Sequence, residues 1–199
     1  MIHRIYLDVD DVLNLLTMAA LKYHGCPVEV DEFSAYSLPG VYDIVAVHNS
    51  FDVMPVTEKQ FWDRLGREFW ESVPVSPEKD WFIGEAVKAV GEQNVFLLTA
   101  IPCEDDVPNP SYVEGKLAWI SANLPKFLQR QTAITHAKYM CAAKGHLLVD
   151  DADHNVEPFI EAGGEACLVP KPWNKHHCMD WDQWRETFFN LDPIKRVRV

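Results

Sequence analysis

Four carboxylates and a hydroxyl stand where this sequence could do chemistry. Asp8-Val9-Asp10 closes a short apolar run, Ile5-Tyr6-Leu7. Thr99 closes Val95-Phe96-Leu97-Leu98, and Asp150-Asp151 closes Leu147-Leu148-Val149. In an extended segment residues i and i+2 point to one side, so Asp8 and Asp10 share a face. Asp8 can then act as a nucleophile while Asp10 reaches a leaving oxygen as general acid. Carboxylates gathered on one rim repel each other, and a divalent cation is the usual compensation. An all-oxygen set suits Mg²⁺. Such a cation also screens the repulsion between an anionic nucleophile and an anionic phosphate. The competing reading is that these acids merely cap helices, as Asp10 or Asp11 could for a helix beginning near Val12. Three separate caps in the order strand-DxD, strand-Thr, strand-DD are a poorer account than one shared site.

The elements that must position these groups are legible in pattern. The runs at 5–7, 95–98, 147–149 and 166–169 are short, apolar on both faces and separated by helical patterns, which predicts a buried parallel sheet. Ile134 and its neighbours predict a weaker strand. In such a sheet, ligands bind beyond the carboxyl ends of the strands. A helix is expected over residues 12–24, with Gly25 as its stop. Thr57-x-x-Gln60 is a capping box opening a helix that carries Phe61, Trp62, Leu65, Phe69 and Trp70. Ser76-Pro77, Ser111-x-x-Glu114 and Asp180-x-x-Gln183 start three more, the first stopping at Gly91. The fold expected is α/β, a Rossmann-like doubly wound parallel sheet. The first strand ends near residue 9 and the next begins near 95, although a crossover needs only about a dozen residues. A small, mainly helical cap is therefore expected over residues 15–75, with the core at 1–14 and 76–199.

Composition narrows the partners. The 199 residues carry 18 Lys and Arg against 30 Asp and Glu, a formal charge of −12, which repels a polynucleotide but not a small anion held through a cation. No run of 18 apolar residues is present, so no membrane-spanning helix is expected. The apolar stretch before Asp8 is too short for an export signal, and the cytoplasm is the expected compartment. Cysteines 26, 103, 141, 167 and 178 read as reduced thiols. His176-His177-Cys178 lacks a second half at ligand spacing, and the basic tail at 195–199 reads as a solvated end. A homodimer is compatible with the sequence.

Ile5 to Leu13, read as Ile-Tyr-Leu-Asp-Val-Asp-Asp-Val-Leu, resembles motif I of the haloacid dehalogenase superfamily of phosphatases. Val95-Phe96-Leu97-Leu98-Thr99 resembles motif II, and Leu147-Leu148-Val149-Asp150-Asp151 resembles motif IV. Leu-Thr-Ala-Ile-Pro after the second strand, Val-Asp-Asp-Ala-Asp-His-Asn, Gly163-Gly164 and Pro172-Trp173-Asn174 resemble the 5'(3')-deoxyribonucleotidase branch. The resemblance implies a Mg²⁺-dependent phosphomonoesterase working through an aspartyl-phosphate, with a mononucleotide as the small phosphorylated substrate. It implies that Asp8 is the nucleophile and a metal ligand, and that Asp10 is the general acid/base and meets the metal through its carbonyl. Asp151 is the remaining metal ligand, with Asp150 holding metal-bound water. Thr99 and the Ala100 N–H would clamp the phosphate. The motif III lysine is assigned to Lys138, in Thr135-His136-Ala137-Lys138, with Lys116, Lys126 and Lys144 competing. Leu16, Trp62 and Trp70 are the expected substrate pocket. The chain departs from the pattern at Asp11, where the family often has Gly, at Ala100, where the branch has Ser, and at Leu16, where the branch has a base-stacking aromatic. A sugar phosphate or another phosphometabolite remains an alternative substrate, and a catalytically idle metal-containing binding module an alternative role.

Overall fold

The computed structural model describes residues 1–104 and 107–189; the side chain of Cys103 and the basic tail lie outside the described residues. The strands are β1 (Arg4–Leu7), β2 (Val95–Thr99), β3 (Cys103–Glu104), β4 (Val107–Pro108), β5 (Thr132–Ile134), β6 (His146–Asp150) and β7 (Glu165–Leu168). Five of them form one parallel sheet in the order β5-β2-β1-β6-β7, and β3 and β4 pair as a separate hairpin. Leu7 of central β1 lies beside Leu97 of β2 and Val149 of β6. Asp8 therefore leaves β1 level with Asp150 of β6, with Thr99 of β2 one residue further along.

The sheet is apolar on both faces because helices cover both. On one face Ile5, Leu7, Leu97 and Val149 join the main core; on the other Tyr6, Leu98 and Leu148 pack on Phe159. This explains why the strands read as continuous apolar runs rather than as alternating ones.

Of the five α-helices between β1 and β2, four precede residue 76: α1 (Leu16–Tyr23), α2 (Ile44–Ser50), α3 (Glu58–Asp63) and α4 (Arg67–Ser72). The remaining five are α5 (Lys79–Val90), α6 (Pro110–Asn123), α7 (Lys126–Arg130), α8 (Asp153–Glu161) and α9 (Trp181–Phe189). Entry and exit of the helical insertion run side by side. Leu15 N donates to Pro74 O at 3.0 Å, Ser76 N donates to Leu13 O at 2.9 Å, and Asn14 bridges Val75.

That neck corrects one expectation. The apolar residues from 12 onward do not start a helix; α1 begins at Leu16. Residues 12–15 are used by the neck, and Asn14 Oδ1 accepts from both Asp11 N (3.0 Å) and Leu16 N (3.1 Å). The capping box at Thr57 is present, with Thr57 N donating to Gln60 Oε1 at 2.9 Å and Gln60 N to Thr57 Oγ1 at 3.2 Å. The single helix expected beyond it breaks into α3 and α4, and Gly66 caps the second. The start of α6 lies at Pro110 with Asn109 as its cap, not at Ser111, because the Asn109 side chain accepts from Ser111 N at 3.0 Å. Residues 76–78 form a turn before α5, and the Asp180 cap of α9 is as expected, with Gln183 N donating to Asp180 Oδ1 at 3.0 Å.

The insertion docks on the core mainly through α4 against α6. Gly115 makes that crossing close: a Cβ there would lie 2.6 Å from Trp70 Cβ and 2.7 Å from the Arg67 carbonyl. Among the described residues no helix is long and apolar enough to cross a membrane.

Candidate active site

Three buried carboxylates meet at the ends of β1 and β6. Asp8, Asp150 and Asp151 each offer an oxygen, and these atoms all lie within 4.8 Å of one another. Lys138 is delivered to them by a short 3₁₀ turn, Lys138–Cys141, that follows β5. Its ammonium lies 2.7 Å from Asp8 Oδ2 and 2.7 Å from Asp150 Oδ2. Burial opposes the charge on Lys138, but Asp150 and Asp8 outweigh it and hold the ammonium above its ordinary value. Asp150 is used twice over, because its Oδ1 accepts from Ala152 N at 3.0 Å and Asn155 Nδ2 at 3.1 Å. It is an anchor beneath the site rather than a group facing the cavity.

Asp8 faces the opening. Burial pushes its carboxyl up to about 7; Lys138 opposes that shift, and Asp150 and Asp10 reinforce it. Asp11 takes a left-handed backbone, φ 57°, which among the described residues no other non-glycine adopts. Its side chain makes the conformation worthwhile by accepting from Thr17 N at 3.0 Å and Thr17 Oγ1 at 2.6 Å. The chain thus turns away from the sheet after Asp10 and is tied at once to α1.

Asp10 is held from both sides. Its Oδ1 accepts from Asn14 Nδ2 at 3.1 Å, and its Oδ2 pairs with Lys116. Lys116 was only a competitor for another role in the sequence reading. It is buried, and it also donates to the Ala100 carbonyl and to Thr99 Oγ1, the latter at 3.1 Å. Its ammonium lies 5.2 Å from the centroid of the Trp70 ring. A signal for it was present. The buried stripe of α6 is Tyr112, Gly115, Lys116, Trp119 and Ile120, so Lys116 occupies an apolar position of an amphipathic helix. A lysine there needs a buried counter-charge.

The rim holds more negative charge than positive. By formal charge, Asp8, Asp10, Asp11, Asp150 and Asp151 against Lys116, Lys138 and Lys171 leave the acids two in excess. Burial, and then Asp11 and Asp150, drive the Asp151 carboxyl well above its ordinary value. An oxygen donor set short of two positive charges fits a divalent cation of the hard type.

Above the rim lies a cavity of about 1240 Å³, between the sheet end and the insertion. Asp8, Asp10, Ala100, Lys138 and Asp151 form its floor. Of the three residues expected in the pocket, Leu16 and Trp62 line it. Trp70 does not, because it is packed between α4 and α6 with its Nε1 donating to the Leu65 carbonyl at 3.2 Å. Tyr36, Tyr42, Tyr112 and Tyr139 add walls that the sequence reading did not single out. Thr99 is fully buried behind Ala100, its hydroxyl turned to Lys116. His176 and His177 serve their own loop, their Nδ1 atoms 3.3 Å from the Leu168 carbonyl and 3.0 Å from the Asn174 carbonyl. Among the described residues, Cys26, Cys141, Cys167 and Cys178 form no disulfide.

No protein-family model matches the sequence, and no curated protein matches it. Solved structures do. One is a dehalogenase with an intermediate complex, with a TM-score of 0.54 and 8% identity, covering 96% of this chain and 97% of that one. A second is a HAD-family hydrolase from Deinococcus radiodurans with bound phosphate and sodium, with a TM-score of 0.51 and 13% identity over 94% and 96% of the two chains. A third is a hydrolase from Streptococcus pneumoniae, TM-score 0.51 and 12% identity, covering 85% and 94%. The chain shares the fold of these proteins over most of its length.

Proposed function

We propose that this chain is a Mg²⁺-dependent phosphomonoesterase of the haloacid dehalogenase type, acting on a small phosphomonoester and, first among these, a (deoxy)nucleoside monophosphate. The observation that carries the reading is Asp8 with Lys138 on the floor of a large cavity, beside an acidic rim that lacks two positive charges. Asp8, Asp151 and the backbone of Asp10 would hold the cation, with Asp150 beneath. When bound, Mg²⁺ supplies charge compensation between the nucleophile and the phosphate.

The chain's own residues do the rest. The Asp8 carboxylate attacks phosphorus in line, the bond from phosphorus to the leaving oxygen breaks, and Asp10 gives that oxygen its proton. Water then attacks the aspartyl-phosphate, Asp10 takes a proton from it, and the bond from Asp8 to phosphorus breaks to release phosphate. Lys138 fixes Asp8 and offsets charge on the transferred group. Lys116 and Asn14 fix Asp10 within reach of the leaving oxygen. Ala100 lines the cavity and its N–H would serve as a backbone donor to the phosphate, while Thr99 supports Lys116 from behind. The insertion acts as the cap that excludes bulk water. Trp62, Tyr42 and Tyr112 provide flat walls for a nucleoside, and Leu16 adds an apolar side chain beside them. The cytoplasm, where thiols stay reduced, suits cysteines held outside any disulfide.

A dehalogenase is among the similar structures. A carbon–halogen bond presents no anion to screen and releases a halide that needs no proton. The acidic rim and the doubly held Asp10 would then have no work to do, so phosphate transfer is the better reading. The test is phosphate release from ribo- and deoxyribonucleoside 5'- and 3'-monophosphates and common sugar phosphates, with Mg²⁺ and with EDTA. Turnover that needs Mg²⁺ and favours nucleotides supports the reading. Turnover that favours sugar phosphates keeps the chemistry and discards the nucleotide. Metal binding without turnover on any phosphoester returns the idle binding module.

A further inference from the structure

Asp151 is gripped by a segment that the chemistry above does not use. Residues 171–174 follow β7 and run beneath the rim. The Trp173 indole, 2% exposed, donates from Nε1 to Asp151 Oδ2 at 2.6 Å. The Asn174 side chain, fully buried, donates to the Asp151 carbonyl at 2.7 Å and to the Val169 carbonyl at 2.7 Å. Side chain and main chain of Asp151 are therefore both set by this one segment.

The other side of the same segment carries the insertion. The Trp173 ring lies edge-on to Phe33, centroids 6.1 Å apart, and tilted against Tyr36 at 5.4 Å. Lys171 lies over the Phe33 ring at 4.6 Å. Gly40 N donates to the Pro172 carbonyl at 2.7 Å. Tyr36 is fixed in turn by donating to the Val41 carbonyl at 2.7 Å. Next to it Tyr42 packs on His154, centroids 4.7 Å apart, across the cavity from insertion to core. Residues 33–42 thus rest on a plate whose centre is Trp173, and the far side of the plate is bonded to Asp151.

We propose that Trp173 is a positioning residue that couples the docking of residues 33–42 to cation binding by Asp151. One oxygen of Asp151 is committed to the indole N–H, so the carboxylate is aimed and its other oxygen is left for the cation. The indole can hold that position only while Phe33 and Tyr36 press on its ring. Coupling of this kind is reciprocal: the docked segment tightens the cation, and the cation tightens the segment by the same factor. The inference rests on the proposed cation site. It adds that closure over the substrate and assembly of the metal centre are one event.

The experiment is Mg²⁺ titration by calorimetry, joined to backbone hydrogen exchange of residues 33–42 with and without Mg²⁺. Trp173→Phe keeps an aromatic ring against Tyr36 but removes the N–H. It is expected to bind Mg²⁺ about ten- to a hundredfold more weakly, as loss of a group orienting a metal ligand does. In the wild type Mg²⁺ slows exchange in residues 33–42, and in Trp173→Phe that slowing is lost. A residue with a structural role alone would lower the melting temperature without moving either readout. Tyr36→Leu approaches from the other side and carries the same test should Trp173→Phe not fold; it too is expected to bind Mg²⁺ more weakly. Wild-type affinity in either folded variant, or exchange in residues 33–42 that ignores Mg²⁺ in the wild type, overturns the coupling and leaves the phosphatase reading intact. A wild-type protein that takes up no Mg²⁺ removes the cation site itself, and both readings fall.

Discussion

The rim of the sheet and the helical insertion above it solve burial in opposite ways. At the rim, charge is buried against charge. Lys138 lies between Asp8 and Asp150, and Lys116 faces Asp10, a hydroxyl and a carbonyl. In the insertion, ring is buried against ring. His24 stacks on Phe61 with centroids 4.1 Å apart, His48 meets His24 edge-on at 5.4 Å, and the buried His24 Nδ1 has no hydrogen-bond partner. The rim accepts a large desolvation cost because its groups must react. The cluster around His24 carries no such duty, and aromatic faces fill it at little electrostatic cost. Changes at the rim should therefore move chemistry and charge balance, whereas changes in the ring cluster around His24 should move stability.

The largest effect is expected at Asp8. Asp8→Asn preserves shape and removes the nucleophile, and phosphate release should fall by about 10³-fold or more with the circular dichroism spectrum unchanged. Turnover near wild type would end the account of the rim as a reaction centre.

Lys138→Met tests whether the rim is held by compensated charge. It leaves Asp8 and Asp150 facing each other without the ammonium, and breaking such a buried pair costs about 3–5 kcal/mol in urea unfolding of the cation-free protein. Added Mg²⁺ should recover part of the loss. A loss below about 1 kcal/mol would mean that the carboxylates carry protons and the charges are not what hold the rim.

Gly115→Ala probes the seam between the two regions. The added methyl meets Trp70 and the Arg67 carbonyl, and α4 must shift away from α6. A loss of about 1–3 kcal/mol is expected in thermal unfolding. Because Lys116 is the next residue, turnover should fall too. An unchanged melting temperature would show that α4 yields freely and that the insertion is looser than the rim.

The smallest effect is a pH response peculiar to the insertion. Burial pushes His24 down to about 4 from an ordinary 6.5; its bond to the Phe61 carbonyl opposes that, while His48 and Arg64 add to it. Between those values the unfolded chain binds a proton that the folded chain refuses. The stability that neutral His24 contributes is complete above 6.5 and is lost as pH falls toward 4. Denaturant unfolding at pH 7 and pH 5 should therefore show wild type losing about 1–2 kcal/mol more than His24→Gln. Parallel losses would sink the picture of a neutral ring held against Phe61.

Much of the rim was legible because its signals are local. A strand ending in acids can be read from a few residues, and Asp11 could be recognised as a residue that tolerates a left-handed turn, which it adopts at φ 57°. Lys138 was singled out through the family's motif III lysine, in Thr135-His136-Ala137-Lys138, and it meets Asp150 in one buried contact. Lys116 was missed as a partner of Asp10 because 106 residues separate them and only packing brings α6 over β1. Trp70 was misplaced for a related reason. Its helical spacing shows that it is buried but not which neighbour buries it, and Gly115 rather than a ligand is the answer. The insertion's helices were drawn too long because apolar periodicity continued through the neck at residues 12–15 and through Gly66.

The sequence by itself determined the strands of the main sheet, their parallel character and the acids at their ends, since each depends on the chemistry of neighbours along the chain. Only the tertiary structure decided which lysine serves which carboxylate, which aromatics face the cavity, and that Trp173 lies between the insertion and Asp151. Those are contacts between residues far apart in the chain. A one-dimensional pattern records that a side chain must be buried, but the choice of partner is made by the packing of helices against the sheet.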